Sequence, residues 1–430
     1  MHGPAHCTAD ARTARLRARY LLSATLLASS LAAAPARPVH PAPAVPGFSG
    51  ERLARLDRFM QREVREQHKS GVVVLLARHG RIVYEKAYGV ADLAAGRPLR
   101  TDAMFRLFSM TKPITSVALL QLYERGRFEL TDPLERYLPE FKGVKVYAGR
   151  NAHGNMILAE PKRKITIQDV LRHTAGFTYG YFGDTPVDQA YRAAGLEYAK
   201  LDSLKELVHK LAAMPLLHQP GERWEYSFAH DVAAYLVEYF SGVPFDAYCR
   251  REIFGPLRMK DTVFGMPEKL APRYPTNYTP QPDGTLRPLS AREDTYRRFE
   301  AHPFGGVSVA STAQDYLRFA QMLLNGGELD GVRVLGRKTV ELMTSDNLPP
   351  GTPTGQEGIR YGLGVSVITA PAQAGILGSQ GEFGWSGYAS TWVGMDPKED
   401  LIALLFTQYT PKDYRFVDEF QTLVYQALGR

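Results

Sequence analysis

Phe105-Arg-Leu-Phe-Ser-Met-Thr-Lys-Pro-Ile114 places a serine and a lysine three residues apart at the mouth of a long apolar segment. Ile114, Val117, Ala118, Leu120, Leu122 and Tyr123 recur close to helical spacing until Arg125-Gly126 ends the pattern, so the segment reads as a helix. Ser109 and Lys112 then share one helical face. A serine hydroxyl is a weak nucleophile at neutral pH. A lysine one turn away can take its proton only if burial or a cationic neighbour lowers the amine pKa. Alone, the tetrad fits a helix-capping serine followed by a solvated lysine better than a catalytic pair. Pro113 disfavours helix at Lys112 and so belongs near the first turn.

The composition around this segment is that of a globular protein: 44% hydrophobic, 11% aromatic, 52 Lys and Arg against 45 Asp and Glu. Arg12, Arg15, Arg17 and Arg19 precede the apolar run Tyr20–Ala34, and small residues follow at Ala32-Ala-Ala34 and Ala34-Pro-Ala36. Residues 1–36 therefore read as a secretory signal peptide, with an uncleaved signal anchor as the alternative. Cleavage after Ala36 would leave 48 basic and 44 acidic residues, a net charge of +4 that gives a nucleic-acid role little support. Cys7 falls in the leader, and Cys249 alone remains, so no intramolecular disulfide is available. With no later apolar stretch of membrane-spanning length, the expected address is periplasmic or secreted, with no stable membrane span after cleavage. Residues 37–50, rich in Pro and Ala, read as a tether, and residues 51–430 as the folded domain.

Leu53, Leu56, Phe59, Met60 and Val64 predict an amphipathic helix, followed by strands Val72–Ala77 and Arg81–Ala87 joined at His79-Gly80. Leu130–Leu134 caps a short helix that Pro139 closes, and Phe141–Lys164 reads as a loop or ribbon near the site. A helix from Ile165 leads into His173-Thr-Ala-Gly-Phe177, where His173 reads as a buried, backbone-satisfied scaffold residue. Leu204–Met214 and Asp231–Ser241 are helical in pattern. Arg258–Leu289 is proline-rich loop, suited to a binding wall or lid. Ser311 or Thr312 caps a helix over Ala313–Asn325. Three β-prone runs follow, Tyr361–Val367, Gly384–Met395 and Leu401–Gln408, before a terminal helix Phe416–Leu428. Strands at both ends with helices between predict an α/β (α+β) sandwich. Its antiparallel sheet carries the N- and C-terminal helices on one face, beside a separate helical region. Phosphate-loop, dinucleotide and metal-ligand spacings are absent from the sequence, and no metal or organic cofactor is expected.

Ser109-Met-Thr-Lys112, Tyr226-Ser-Phe228 and Trp385-Ser-Gly387 occur in this order, with His173–Phe177 and Gly305–Thr312 between the outer members. From Glu51 onward the chain resembles the serine β-lactamase and penicillin-recognising superfamily. Within it the chain looks most like the class C β-lactamases and the family VIII carboxylesterases. The resemblance implies that Ser109 is acylated and that Lys112 shares its proton. It implies that Tyr226 is general base in acylation and proton donor to the leaving group, its phenolate stabilised by the Lys112 ammonium. Ser109 and Tyr388 would supply backbone N–H groups to the oxyanion, and Phe228, Trp385, Ser386 and Gly387 would line the substrate. His230, four residues after Tyr226, suits a capping or pocket-lining place.

Enzymes that open β-lactams usually carry Tyr-x-Asn and Lys-Thr-Gly as second and third motifs, whereas Phe228 and Trp385 stand in those polar positions here. Loss of an amide and a cation favours a neutral ester over an anionic β-lactam. The expected function is hydrolysis of small carboxylic esters through an acyl-enzyme, with a small-molecule ester or amide as the partner. A D-amino-acid peptidase or amidase, a weak β-lactamase, and a non-catalytic protein that binds cell-wall fragments are the alternatives.

Overall fold

The computed structural model describes residues 47–429; the expected leader and most of the tether lie outside them. Gly71–Arg78 (β1) and Arg81–Asp92 (β2) form the predicted hairpin. His79 and Gly80 take φ of 51° and 69°, the left-handed pair that matches strand twist in a two-residue turn. Arg97–Pro98 (β3) extends this edge. The last third of the chain adds Ile359–Tyr361 (β4), Ser366–Ile368 (β5), Phe383–Ser386 (β6), Trp392–Asp396 (β7) and Leu401–Thr407 (β8). The antiparallel sheet runs β4-β5-β6-β7-β8-β1-β2-β3, so the two ends of the chain meet where β8 pairs with β1 and Val74 lies opposite Leu405.

Five helices build on this sheet: α1 (Gly50–Arg65), α2 (Thr111–Glu124), α3 (Ala229–Ser241), α4 (Ala313–Leu324) and α5 (Tyr414–Tyr425). Successive side chains of a strand point to opposite faces. Val72, Val74 and Leu76 therefore pack with Leu56 and Phe59 of α1 and Phe416 and Phe420 of α5. Val73, Leu75 and Ala77 join the larger core on the other face, with α2, α3 and α4. β1 is buried on both sides, which explains its unbroken apolar run. α2 is buried from Thr111 to Leu122, as befits a helix enclosed all round.

Several expected boundaries shift for local reasons. Ser49 caps α1 and its N–H reaches the Ala427 carbonyl at 2.8 Å, so the tether's last residues already belong to the fold. Pro139 opens a 3₁₀ turn, Pro139–Phe141, instead of closing a helix, because its fixed φ suits a first helical position. The ribbon within Phe141–Lys164 pairs Val146–Arg150 with Met156–Ala159. The runs Tyr361–Val367 and Gly384–Met395 are each two strands, bent back at Gly362–Val365 and Gly387–Ser390.

Candidate active site

Ser109 lies in a single 3₁₀ turn, Phe108–Met110, that leads directly into α2. Thr111, Lys112 and Pro113 are the first three residues of α2, so the missing proline N–H is one the helix could not have used. Phe108 takes φ of 45°, a conformation that costs a non-glycine residue on the order of 1–3 kcal/mol. Tyr296 holds it there. Its phenolic oxygen accepts the Phe108 N–H at 3.1 Å and donates toward the carbonyls of Val307 (2.8 Å) and Val309 (2.5 Å), while the rings pack at 5.1 Å.

Lys112 Nζ stands 3.1 Å from Ser109 Oγ and donates to the Gly306 carbonyl at 2.9 Å. Lys112 is 0% exposed, which excludes the solvated-lysine reading. Burial pulls its amine down from 10.5 to about 7, against the opposing pull of Asp231. Asp231, in the first turn of α3, accepts the Gly306 N–H at 2.9 Å and the Tyr198 hydroxyl at 2.8 Å. Gly306 must be glycine, since a Cβ would meet the Tyr198 oxygen at 2.6 Å and Asp231 Oδ2 at 2.9 Å.

Tyr226 follows the Pro220–Trp224 turn and closes the other side. The Lys112 ammonium position lies 4.6 Å from its ring centroid. Burial lifts its phenol above the usual 10, with Ser109 and the Trp385 indole N–H pulling the other way and leaving it raised. The electrostatics therefore divide the pair differently from expectation. The amine becomes the easily deprotonated member and the phenol keeps its proton, because desolvation penalises whichever form is charged. His173 and His230 stack 4.7 Å apart behind Tyr226. His173 pairs with the Ser227 hydroxyl at 3.2 Å, not with backbone, and His230 with the Ser116 hydroxyl at 3.1 Å.

β6 brings the third motif against the serine turn. Gly387 has no room for a side chain, as a Cβ would meet the Leu107 carbonyl at 2.3 Å. Among the described residues, neither the Ser109 nor the Tyr388 backbone N–H is engaged in a hydrogen bond. Trp385 packs on Tyr226 and Tyr361, with ring centroids at 5.7 and 5.1 Å. Phe228 is wholly buried behind Tyr179, 4.6 Å between rings, so it shapes the wall from behind instead of facing the cleft. Ser386 reveals what sequence reading missed: its hydroxyl accepts a 2.8 Å hydrogen bond from Lys412. Lys412, in the loop before α5, thus brings an amine beside the third motif, and burial lowers it from 10.5 to about 8. Asp231, Tyr198, Gly306 and Tyr296 were also missed. Only Gly305-Gly306 carried a signal, as a glycine turn between the motifs. Among the described residues no cluster of His, Cys, Asp or Glu could hold a metal ion, and no helix is long and apolar enough to cross a membrane.

A serine beside a buried lysine, under a tyrosine and two backbone N–H groups that are free among the described residues, is an arrangement that can carry acyl transfer. The chain belongs to the beta-lactamase family, whose family model matches residues 56–426, and it is a serine hydrolase of that family. Esterase EstB of Burkholderia gladioli is 34% identical over 372 residues, covering 82% of this chain and 90% of that protein. Protein Rv1367c of Mycobacterium tuberculosis is 34% identical over 359 residues, covering 80% and 86%. Among solved structures, EstCE1, a hydrolase with promiscuous acyltransferase activity, is similar with a TM-score of 0.75 at 25% identity, over 87% of this chain and 98% of that one.

Proposed function

We propose that this protein hydrolyses small carboxylic esters through an acyl-enzyme on Ser109. The observation that carries the reading is Lys112 Nζ at 3.1 Å from Ser109 Oγ, with burial bringing the amine to about 7. In acylation Ser109 Oγ attacks the ester carbonyl while its proton passes to neutral Lys112. The Ser109 and Tyr388 N–H groups receive the oxyanion, at about 3 kcal/mol per donor. Tyr226 gives its proton to the departing alkoxide and recovers one from the Lys112 ammonium. Water then attacks the acyl carbonyl, loses a proton to Lys112, and Ser109 leaves reprotonated. The esterase name of EstB supports the ester as substrate.

Tyr181 (46% exposed), Phe182 (59%), Tyr388 (44%) and Tyr414 (67%) present large aromatic surfaces around this site, which suits an apolar acyl or alcohol group. The same rim favours a second reading, transfer of the acyl group to an apolar alcohol that docks where water would otherwise attack. The leader sequence supports export, and a mature chain starting near Arg37 in the periplasm or medium is part of the proposal. Rates on p-nitrophenyl esters of graded chain length, compared with a chromogenic cephalosporin, test the substrate class. Esters should turn over faster by orders of magnitude; a cephalosporin turned over as fast would contradict the reading.

A further inference from the structure

Asp231 is buried beside the site, yet the acylation steps above do not use it. Its two carboxylate oxygens are each committed, Oδ1 to the Gly306 N–H and Oδ2 to the Tyr198 hydroxyl, and the carbonyl of that same Gly306 accepts from Lys112 Nζ at 2.9 Å. A single residue, Gly306, thus joins carboxylate and amine through its N–H and its carbonyl, in place of a direct ion pair. Burying a charge is costly unless donors repay the lost water, and here two donors face it in a place that packing alone could have filled with an apolar residue. The glycine is fixed by the same arrangement, since any side chain at 306 would strike Asp231 and Tyr198.

We propose that Asp231 is a positioning residue of this site: its carboxylate fixes Gly306, whose carbonyl clasps Lys112, and provides the buried counter-charge behind that amine. The inference rests on the ester-hydrolase reading and deepens it. Titratable groups on every neighbouring element face the pair: Tyr179, Tyr181, Tyr198, Tyr226, His173 and His230. Desolvation raises the four phenols, Tyr181 included although part of its ring reaches the surface, and burial holds the two imidazoles well below their ordinary range, so all six are neutral near pH 7. The field that opposes desolvation at Lys112 therefore comes from Asp231. Without it burial alone would drive the amine to a pKa too low for an effective base, since general-base strength falls with pKa.

The test is the pH dependence of Ser109 labelling by a fluorophosphonate, measured on the full-length protein. Asp231→Asn retains the acceptor for Gly306 and removes the charge. The acid limb of its labelling profile should move down by about one pH unit or more, and its plateau rate should fall several-fold, because Lys112 loses its proton earlier and accepts one less readily. Tyr198→Phe withdraws one donor from the carboxylate, disfavours the ammonium–carboxylate form of the pair, and should move the limb the same way by less. It also serves as the reporter if Asp231→Asn fails to fold. An unmoved limb in the folded variant or variants would overturn the role of Asp231. Failure of the wild type to label at Ser109 would instead overturn the ester-hydrolase reading, and this inference with it.

Discussion

Lys112 has no surface in contact with solvent, and the proposed division of labour between it and Tyr226 rests on that burial. A base must be neutral to act, so activity should be low below pH 6 and climb through about 7 as the Lys112 ammonium loses its proton. Lys112→Ala should lower kcat by about 10²–10⁴-fold, measured on one p-nitrophenyl ester across pH. Tyr226, whose phenol carries its proton in the resting enzyme at all these pH values, matters in proportion to the need of the leaving group for a proton. Tyr226→Phe should cost little with p-nitrophenolate and about 10²-fold or more with a simple alkyl ester; equal losses on both would remove Tyr226 from that role. That Ser109, Lys112 and Tyr226 come together was legible in the sequence because helical spacing and ordered motifs mark them. The division of labour between them was not. It depends on burial, which motif order does not encode, and on Asp231 and Gly306, which the fold alone brings to the amine.

At the scale of elements, the hairpin β1–β2, the buried helix α2 and the capped helices followed directly from period and turn chemistry. Misreadings came where a strand run concealed a reversal, as at Gly387–Ser390, whose tight turn is what brings Tyr388 and its N–H to the serine turn. The residue just before β6 is a buried carboxyl. Glu382 is 2% exposed, its side chain meets Gln421 of α5 at 3.2 Å, and burial lifts it from 4.5 to about 8. A carboxyl raised on folding stabilises below its unfolded pKa, and that contribution is lost as pH rises through the folded value. Thermal stability should therefore fall between pH 4.5 and about 8. Glu382→Gln should flatten that slope and be more stable than wild type at pH 8 by about 2–4 kcal/mol, read from melts at both ends of the range. A wild-type slope unchanged by the substitution would place the titration elsewhere.

On the scale of the whole molecule, the sheet joins the first and last hundred residues and delivers Lys412 beside Trp385–Gly387, to a site whose Ser109, Lys112 and Tyr226 come from earlier in the chain. Lys69, before β1, donates to Asp413 at 2.8 Å, and the Asp413 N–H reaches Ser390 Oγ at 2.9 Å, so both ends fix this loop. Trp385 removes the motif's own lysine, while the fold brings Lys412 from a distant part of the sequence beside Ser386, which the motif alone does not show because it shows only its own neighbours in sequence. Lys412→Ala should raise KM about tenfold for an ester bearing a carboxylate and leave a neutral ester nearly unchanged, the loss of one charge-assisted hydrogen bond. The central claim is narrower, that turnover passes through an acyl group on Ser109 Oγ. Acid-quenching the enzyme during turnover of a slowly hydrolysed p-nitrophenyl ester and mapping its peptides by mass spectrometry tests it directly. The account predicts one acyl group, carried by the peptide containing Ser109 and absent from Ser109→Ala. Turnover with that peptide unmodified, or undiminished in Ser109→Ala, would contradict it.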